Sequence, residues 1–145
     1  MSECWVFDVD GCLVDSLSGT SLRPGARELL EHLRRSQCTV VWWSAAGGSY
    51  AEARARRFGI AHLVDAYDTK AARDASGRYV TDRVVGRARS AVFVDDRPED
   101  LPASVTVLAV SPYLSENPSD RGLDAVARHA GMVAPPAGRS PDPGA

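Results

Sequence analysis

Two pairs of carboxylates dominate the chemistry open to this chain of 145 residues. The first lies in Asp8-Val9-Asp10-Gly11 and the second is Asp95-Asp96. Acids two residues apart leave an extended strand on the same side, and Gly11 permits a sharp exit. Like charges this close repel, so something must neutralise them. A divalent cation would do so, and a donor set made only of oxygen suits Mg²⁺. Either pair alone is as consistent with capping the turn that follows. Both pairs together, each at the end of an apolar run, favour a metal site.

Two further residues matter in this company. Ser44 precedes the Gly-rich turn Ala45-Ala46-Gly47-Gly48, where a hydroxyl and free backbone amides can hold a phosphate oxygen. Lys70 would offset anionic charge. Alone, Ser44 reads as a turn or cap residue and Lys70 as a solvated surface lysine. Together with the four acids, they offer a nucleophile, an acid/base, phosphate ligands and a metal site.

The elements that must position these groups follow from hydrophobic periodicity. Residues 4–9, 39–43, 63–67, 91–94 and 105–110 read as strands, mostly continuous apolar runs. Pro24 opens a helix over 24–35, carried by Ala26, Leu29, Leu30 and Leu33. Ser49 and Glu52 form a capping box for a second helix that Gly59 ends. Residues 68–80 read as loop, and a short helix runs from Thr81 to about Arg89. Asn117-Pro118 starts a last helix, stopped by Gly131. Alternating strands and helices of this kind predict an α/β domain with a parallel sheet covered on both faces. Such sheets bind ligands at the carboxyl ends of their strands, where Asp8, Ser44, Asp95 and Asp96 all lie. The expected organisation is one domain over 1–132 and a disordered Pro/Ala/Gly-rich tail over 133–145.

Composition narrows the function classes. Hydrophobic residues make up 44% and charged residues 25%, ordinary values for a globular domain. The net charge of −2 provides no electrostatic case for nucleic acid. The arginines at 27, 34, 35, 54, 56 and 57 read as solvated helix faces. Three cysteines, an odd number without zinc-site spacing, predict free thiols and a cytoplasmic setting. No run approaches the length of a membrane span.

The residues and their order resemble the four motifs of the haloacid dehalogenase (HAD) superfamily. Asp8-Val9-Asp10-Gly11-Cys12-Leu13-Val14-Asp15-Ser16 is similar to its first motif, Val40-Val41-Trp42-Trp43-Ser44 to its second, and Val92 through Asp100 to its fourth. Lys70 is the best match to the third, with Arg73, Arg78 and Arg83 as alternatives. Arg23 through Leu30 is similar to the opening of the first core helix. The resemblance implies a three-layer α/β/α Rossmann-like core and a Mg²⁺-dependent phosphomonoesterase. In that mechanism Asp8 forms an aspartyl-phosphate, Asp10 is the acid/base, and Ser44 and Lys70 hold phosphoryl oxygens. Metal would sit between Asp8, the Asp10 carbonyl and the fourth motif. Asp96 is favoured as direct ligand, because Asp96 and Asp100 match the family's spacing, and Asp95 stands behind it or as an alternative.

The acid at position 10 favours phosphoryl transfer over dehalogenation, since a halide leaves without a proton. Cys12 stands where threonine is common, which alters a side-chain hydrogen bond near the nucleophile. Only about a dozen residues separate Gly11 from Pro24, so no substantial cap domain is expected. An uncapped site suits a phosphorylated macromolecule. Two other readings stand beside the phosphomonoesterase: a phosphatase acting on nucleic-acid 3′ ends, and a non-catalytic phosphate-binding module.

Overall fold

A computed structural model of the chain describes residues 3–86, 88 and 90–132. The expected tail over 133–145 and Arg89 lie outside the described residues; the short helix expected to reach about Arg89 ends at Val85, where Gly86 takes a positive φ.

The five strands are β1 (Cys4–Asp8), β2 (Thr39–Ser44), β3 (Ala66–Thr69), β4 (Ala91–Asp95) and β5 (Thr106–Ala109). They form one parallel sheet in the order β3-β2-β1-β4-β5. The helices are α1 (Ala26–Arg35), α2 (Gly48–Arg57), α3 (Asp82–Val85) and α4 (Asp124–His129). The α/β architecture with a single parallel sheet agrees with expectation, and no cap domain interrupts the chain among the described residues. The strand order grows outward from β1 in both directions. The crevice that such a reversal creates opens between β1 and β4, at their carboxyl ends.

The two faces of the sheet are covered unequally. Trp5, Phe7, Val40, Trp42, Val92 and Val94 point to one face and meet Leu29, Leu30 and Leu33 of α1, Ala51 and Ala55 of α2, and Val126 of α4. Each leucine buried there contributes about 2 kcal/mol. Small residues on α2 let it lie close to the sheet. Val6, Val41, Trp43 and Phe93 point to the other face, where α3 has only four residues. The hairpin over residues 71–81, closed by pairing of Arg73 with Tyr79, completes that layer. Adjacent Trp42 and Trp43 therefore lie in opposite layers, both buried.

Several boundaries differ from the sequence expectation. The third strand begins at Ala66, because pairing with β2 starts at Val41–Ala66, and residues 61–63 form a 3₁₀ turn instead. No capping box forms at Ser49. Helix α2 begins one residue earlier, its first amide donates to Thr69 Oγ1 at 2.9 Å, and Glu52 pairs with Arg56. The last helix starts at Asp124 and not at Asn117. The intervening turns are set by the buried Arg23, whose guanidinium pairs with Asp120 at 2.7 Å and donates to the Cys12 carbonyl at 3.1 Å. All three cysteines are free thiols, as expected. Burial pushes the Cys4 thiol up to about 11, so it stays protonated.

Candidate active site

The acids reach the crevice from the two central strands. Asp8 ends β1 and Asp95 ends β4, so the parallel pairing of these strands sets them side by side. Asp96 follows at the turn, its carboxylate 2.8 Å from where a Cβ on Gly11 would stand. Gly11 has a φ of +80°, so both its backbone conformation and its lack of side chain are needed there. One carboxylate oxygen each from Asp8, Asp95 and Asp96 falls within 4.8 Å of the others. Asp10 stands slightly apart, and its Oδ1 accepts a hydrogen bond from the Tyr50 hydroxyl at 2.7 Å.

Lys70 lies at the centre of this arrangement. It leaves the end of β3, where its amide donates to the Ser44 carbonyl at 2.9 Å. Its Nζ donates to Asp8 Oδ1 at 2.8 Å and to Asp95 Oδ2 at 3.0 Å. The rings of Trp43 and Tyr79 lie beneath it, at 5.3 and 5.4 Å. Burial disfavours the ammonium charge, but Asp8 and Asp95 outweigh that and raise its pKa. Of the alternatives, Arg73 lines the cleft but is stacked on Tyr79 at 4.0 Å, and Arg83 faces Asp68 at 3.6 Å.

The carboxylates carry the cost of this crowding. Burial pushes Asp8 well above the usual carboxylate range; Lys70 opposes the shift, and Asp95 and Asp96 add to it. Asp95 is raised chiefly by burial, against Lys70 and the Arg97 amide. Negative charge therefore exceeds what one ammonium can balance. The oxygen-only donors fit a hard divalent cation, which would remove the excess. Both oxygens of Asp95 already have donors, Lys70 on one and the Arg97 amide on the other. Asp96 lies beside Asp8 and against Gly11.

Ser44 is buried at the end of β2, where its Oγ accepts the Ala46 amide at 3.0 Å. It lines an open cleft of about 250 Å³ with Asp8, Asp10, Lys70, Asp95 and Asp96. All six residues singled out from sequence thus converge on one cleft. Cys12 lies behind them, its thiol donating to the Val94 carbonyl at 3.6 Å where a threonine hydroxyl would have reached closer.

The loop after the first aspartates is wound around Asp15. Its carboxylate accepts the amides of Ser18, Gly19, Thr20 and Ser21 and the hydroxyls of Ser18 and Ser21. Burial alone would raise its pKa, but the hydrogen bonds from Ser18 and Ser21 outweigh burial and hold it well below the usual range. The folded state then binds fewer protons than the unfolded state, so this stabilisation is present above about pH 4 and fades as pH falls through the carboxylate range. Asp15→Asn turns an acceptor into a donor facing amides. It should cost about 3 kcal/mol at neutral pH. Urea midpoints measured from pH 7 to pH 3 should show the gap to wild type narrowing on acidification.

Sequence reasoning missed Tyr50, Arg54 and Tyr79. Arg54 corrects one expectation in part: it is half-buried, with its guanidinium 4.7 Å from the centre of the Tyr50 ring. Tyr50 sits in the first turn of α2, six residues past Ser44, so its place at the carboxyl edge of the sheet was the available signal.

The profile of the NLI interacting factor-like phosphatases matches residues 3–134. No curated protein sequence matches the chain significantly. Over that span the chain belongs to a family of HAD-like phosphatases, which act on phosphorylated substrates.

Proposed function

We propose that this member of the NLI interacting factor-like phosphatases hydrolyses phosphomonoesters through a covalent intermediate on Asp8, with Mg²⁺ as cofactor. The observation that carries the reading is Lys70 bridging Asp8 and Asp95 beside the Asp8–Asp95–Asp96 oxygen cluster. Asp8 Oδ1 is engaged by Lys70, which leaves Oδ2 to attack phosphorus. As the P–O bond to the leaving group breaks, Asp10 delivers a proton to the departing oxygen. Asp10 then takes a proton from the water that attacks the phosphoaspartate, and inorganic phosphate and the free Asp8 carboxylate result. In this reading Ser44 and Lys70, which line the same cleft, hold the phosphoryl oxygens.

Asp8, Asp96 and the backbone of Asp10 would hold the cation, with Asp95 behind them because its oxygens already have donors. The bound ion would supply positive charge where an anionic nucleophile meets an anionic substrate. The uncapped cleft suits a phosphoryl group presented by a larger molecule, whose remainder stays outside. Asp10 argues against a non-catalytic phosphate-binding module, since binding alone needs no proton donor.

The test is turnover of p-nitrophenyl phosphate by the metal-stripped chain and after Mg²⁺ addition. Chelation should lower turnover by about 100-fold or more, and Mg²⁺ should restore it. Full activity after exhaustive chelation would sink the metal-dependent reading. In the same assay Asp96→Asn should raise the Mg²⁺ concentration needed for half-maximal rate by about 10-fold or more, and Asp95→Asn should raise it less.

A further inference from the structure

The hydroxyl of Tyr50 donates to Asp10 Oδ1 at 2.7 Å, across forty positions of sequence. Tyr50 itself has little freedom. One turn further along α2, the Arg54 guanidinium covers its ring at 4.7 Å. The same guanidinium lies against Gly19, where a Cβ would come within 2.8 Å of Nη2. Gly19 is fixed in turn, because its amide donates to the Asp15 carboxylate and the Asp15 carbonyl. Arg54 Nε is enclosed without a hydrogen-bond partner, while the guanidinium also interacts with the Tyr50 hydroxyl. A chain of contacts runs from the loop after the first aspartates, through Arg54 and Tyr50, back to Asp10.

A carboxylic acid that must deliver a proton has two oxygens, and only one can face the leaving group. Oδ1 receives the Tyr50 proton and so cannot carry one of its own along the same direction. We infer that Tyr50 is a positioning residue that reserves Oδ2 of Asp10 for proton transfer to the leaving oxygen. This rests on the role of Asp10 given above. In the first step the proton on Oδ2 passes to the departing oxygen as the P–O bond breaks. In the second, Oδ2 recovers a proton from the attacking water. The Tyr50 hydroxyl keeps its own proton throughout and touches neither substrate nor reacting atoms.

Leaving groups separate this role from a merely structural one. A nitrophenolate departs with little help, whereas phenolate and alkoxide need the proton. Kinetics of the full chain with Mg²⁺ on p-nitrophenyl phosphate, phenyl phosphate and an alkyl phosphate, for wild type, Tyr50→Phe, Asp10→Asn and the double variant, form the test. Tyr50→Phe should lower kcat/KM, which reports formation of the phosphoaspartate and not its hydrolysis, about 2-fold on p-nitrophenyl phosphate and about 30-fold on phenyl phosphate, and more on the alkyl ester. In the Asp10→Asn background the substitution should add no further discrimination. Equal slowing of all substrates by Tyr50→Phe, or an undiminished effect in the Asp10→Asn background, overturns the positioning role alone. If Asp10→Asn itself lowers kcat/KM equally for every substrate, Asp10 is not the acid and both assignments fall.

Discussion

Asp8→Asn should abolish phosphatase turnover, lowering kcat by about four orders of magnitude or more, while leaving a folded protein. The expectation of intact folding comes from electrostatics. Burial and the neighbouring Asp95 and Asp96 press the Asp8 carboxyl towards its neutral form, and Lys70 offsets this only in part. Asparagine has the same shape, carries no charge, and keeps an oxygen that can accept from Lys70 Nζ. Its urea midpoint should match or exceed that of wild type in the absence of metal. The kinetic loss is then a loss of nucleophile and not of structure. Incubation with ³²P-labelled substrate and acid quenching should trap label on wild type and none on the variant. If Asp8→Asn hydrolyses p-nitrophenyl phosphate at the wild-type rate, the nucleophile has been misassigned.

Lys70→Met should damage both activity and folding. Methionine fills a similar volume but brings no charge to a side chain that is 6% exposed. Asp8 and Asp95 would then face each other without the ammonium that holds them 2.8 and 3.0 Å away. Breaking a buried ionic cluster on one side costs about 3–5 kcal/mol. Loss of a donor to the phosphoryl oxygens should lower kcat by about 10²–10³-fold. The stability loss should shrink when Mg²⁺ is added, because a cation bound to the native state alone replaces part of the missing charge. Urea midpoints with and without Mg²⁺ measure this directly. A variant as stable as wild type in chelator would show that Lys70 does not balance the acids.

The fold was legible where one physical signal dominated. Apolar runs ending in acids located β1 and β4, and the parallel sheet followed from their alternation with helices. Convergence of Asp8, Asp10, Ser44, Lys70, Asp95 and Asp96 was legible for the same reason, since strand ends in a parallel sheet share one edge. The failures arose where tertiary contacts outweighed local preference. Asn117-Pro118 is a good helix start in isolation, but the Arg23–Asp120 pair holds the following residues in turns. Ser49 and Glu52 have capping-box spacing, yet Thr69 from another strand caps the helix first. The Asp10–Tyr50–Arg54–Gly19 chain could not be read from spacing at all, because each contact but one joins segments remote in sequence.

The placement of β1 at the middle of the sheet has a consequence for biosynthesis. Cys4 through Phe7 pair on one side with β2 but on the other with Ala91 through Val94. A chain emerging from the ribosome therefore presents Asp8 and Asp10 with one flank of their strand bare until β4 has been made. Closing so long a loop is slow compared with forming α1 or α2. During that interval the apolar edge of β1 is open to mispairing. The same delay keeps the acids of β1 and β4 apart, so nascent or truncated chains ending before β4 cannot assemble the cleft. Phosphatase activity should thus report completed synthesis and folding of the domain as a whole.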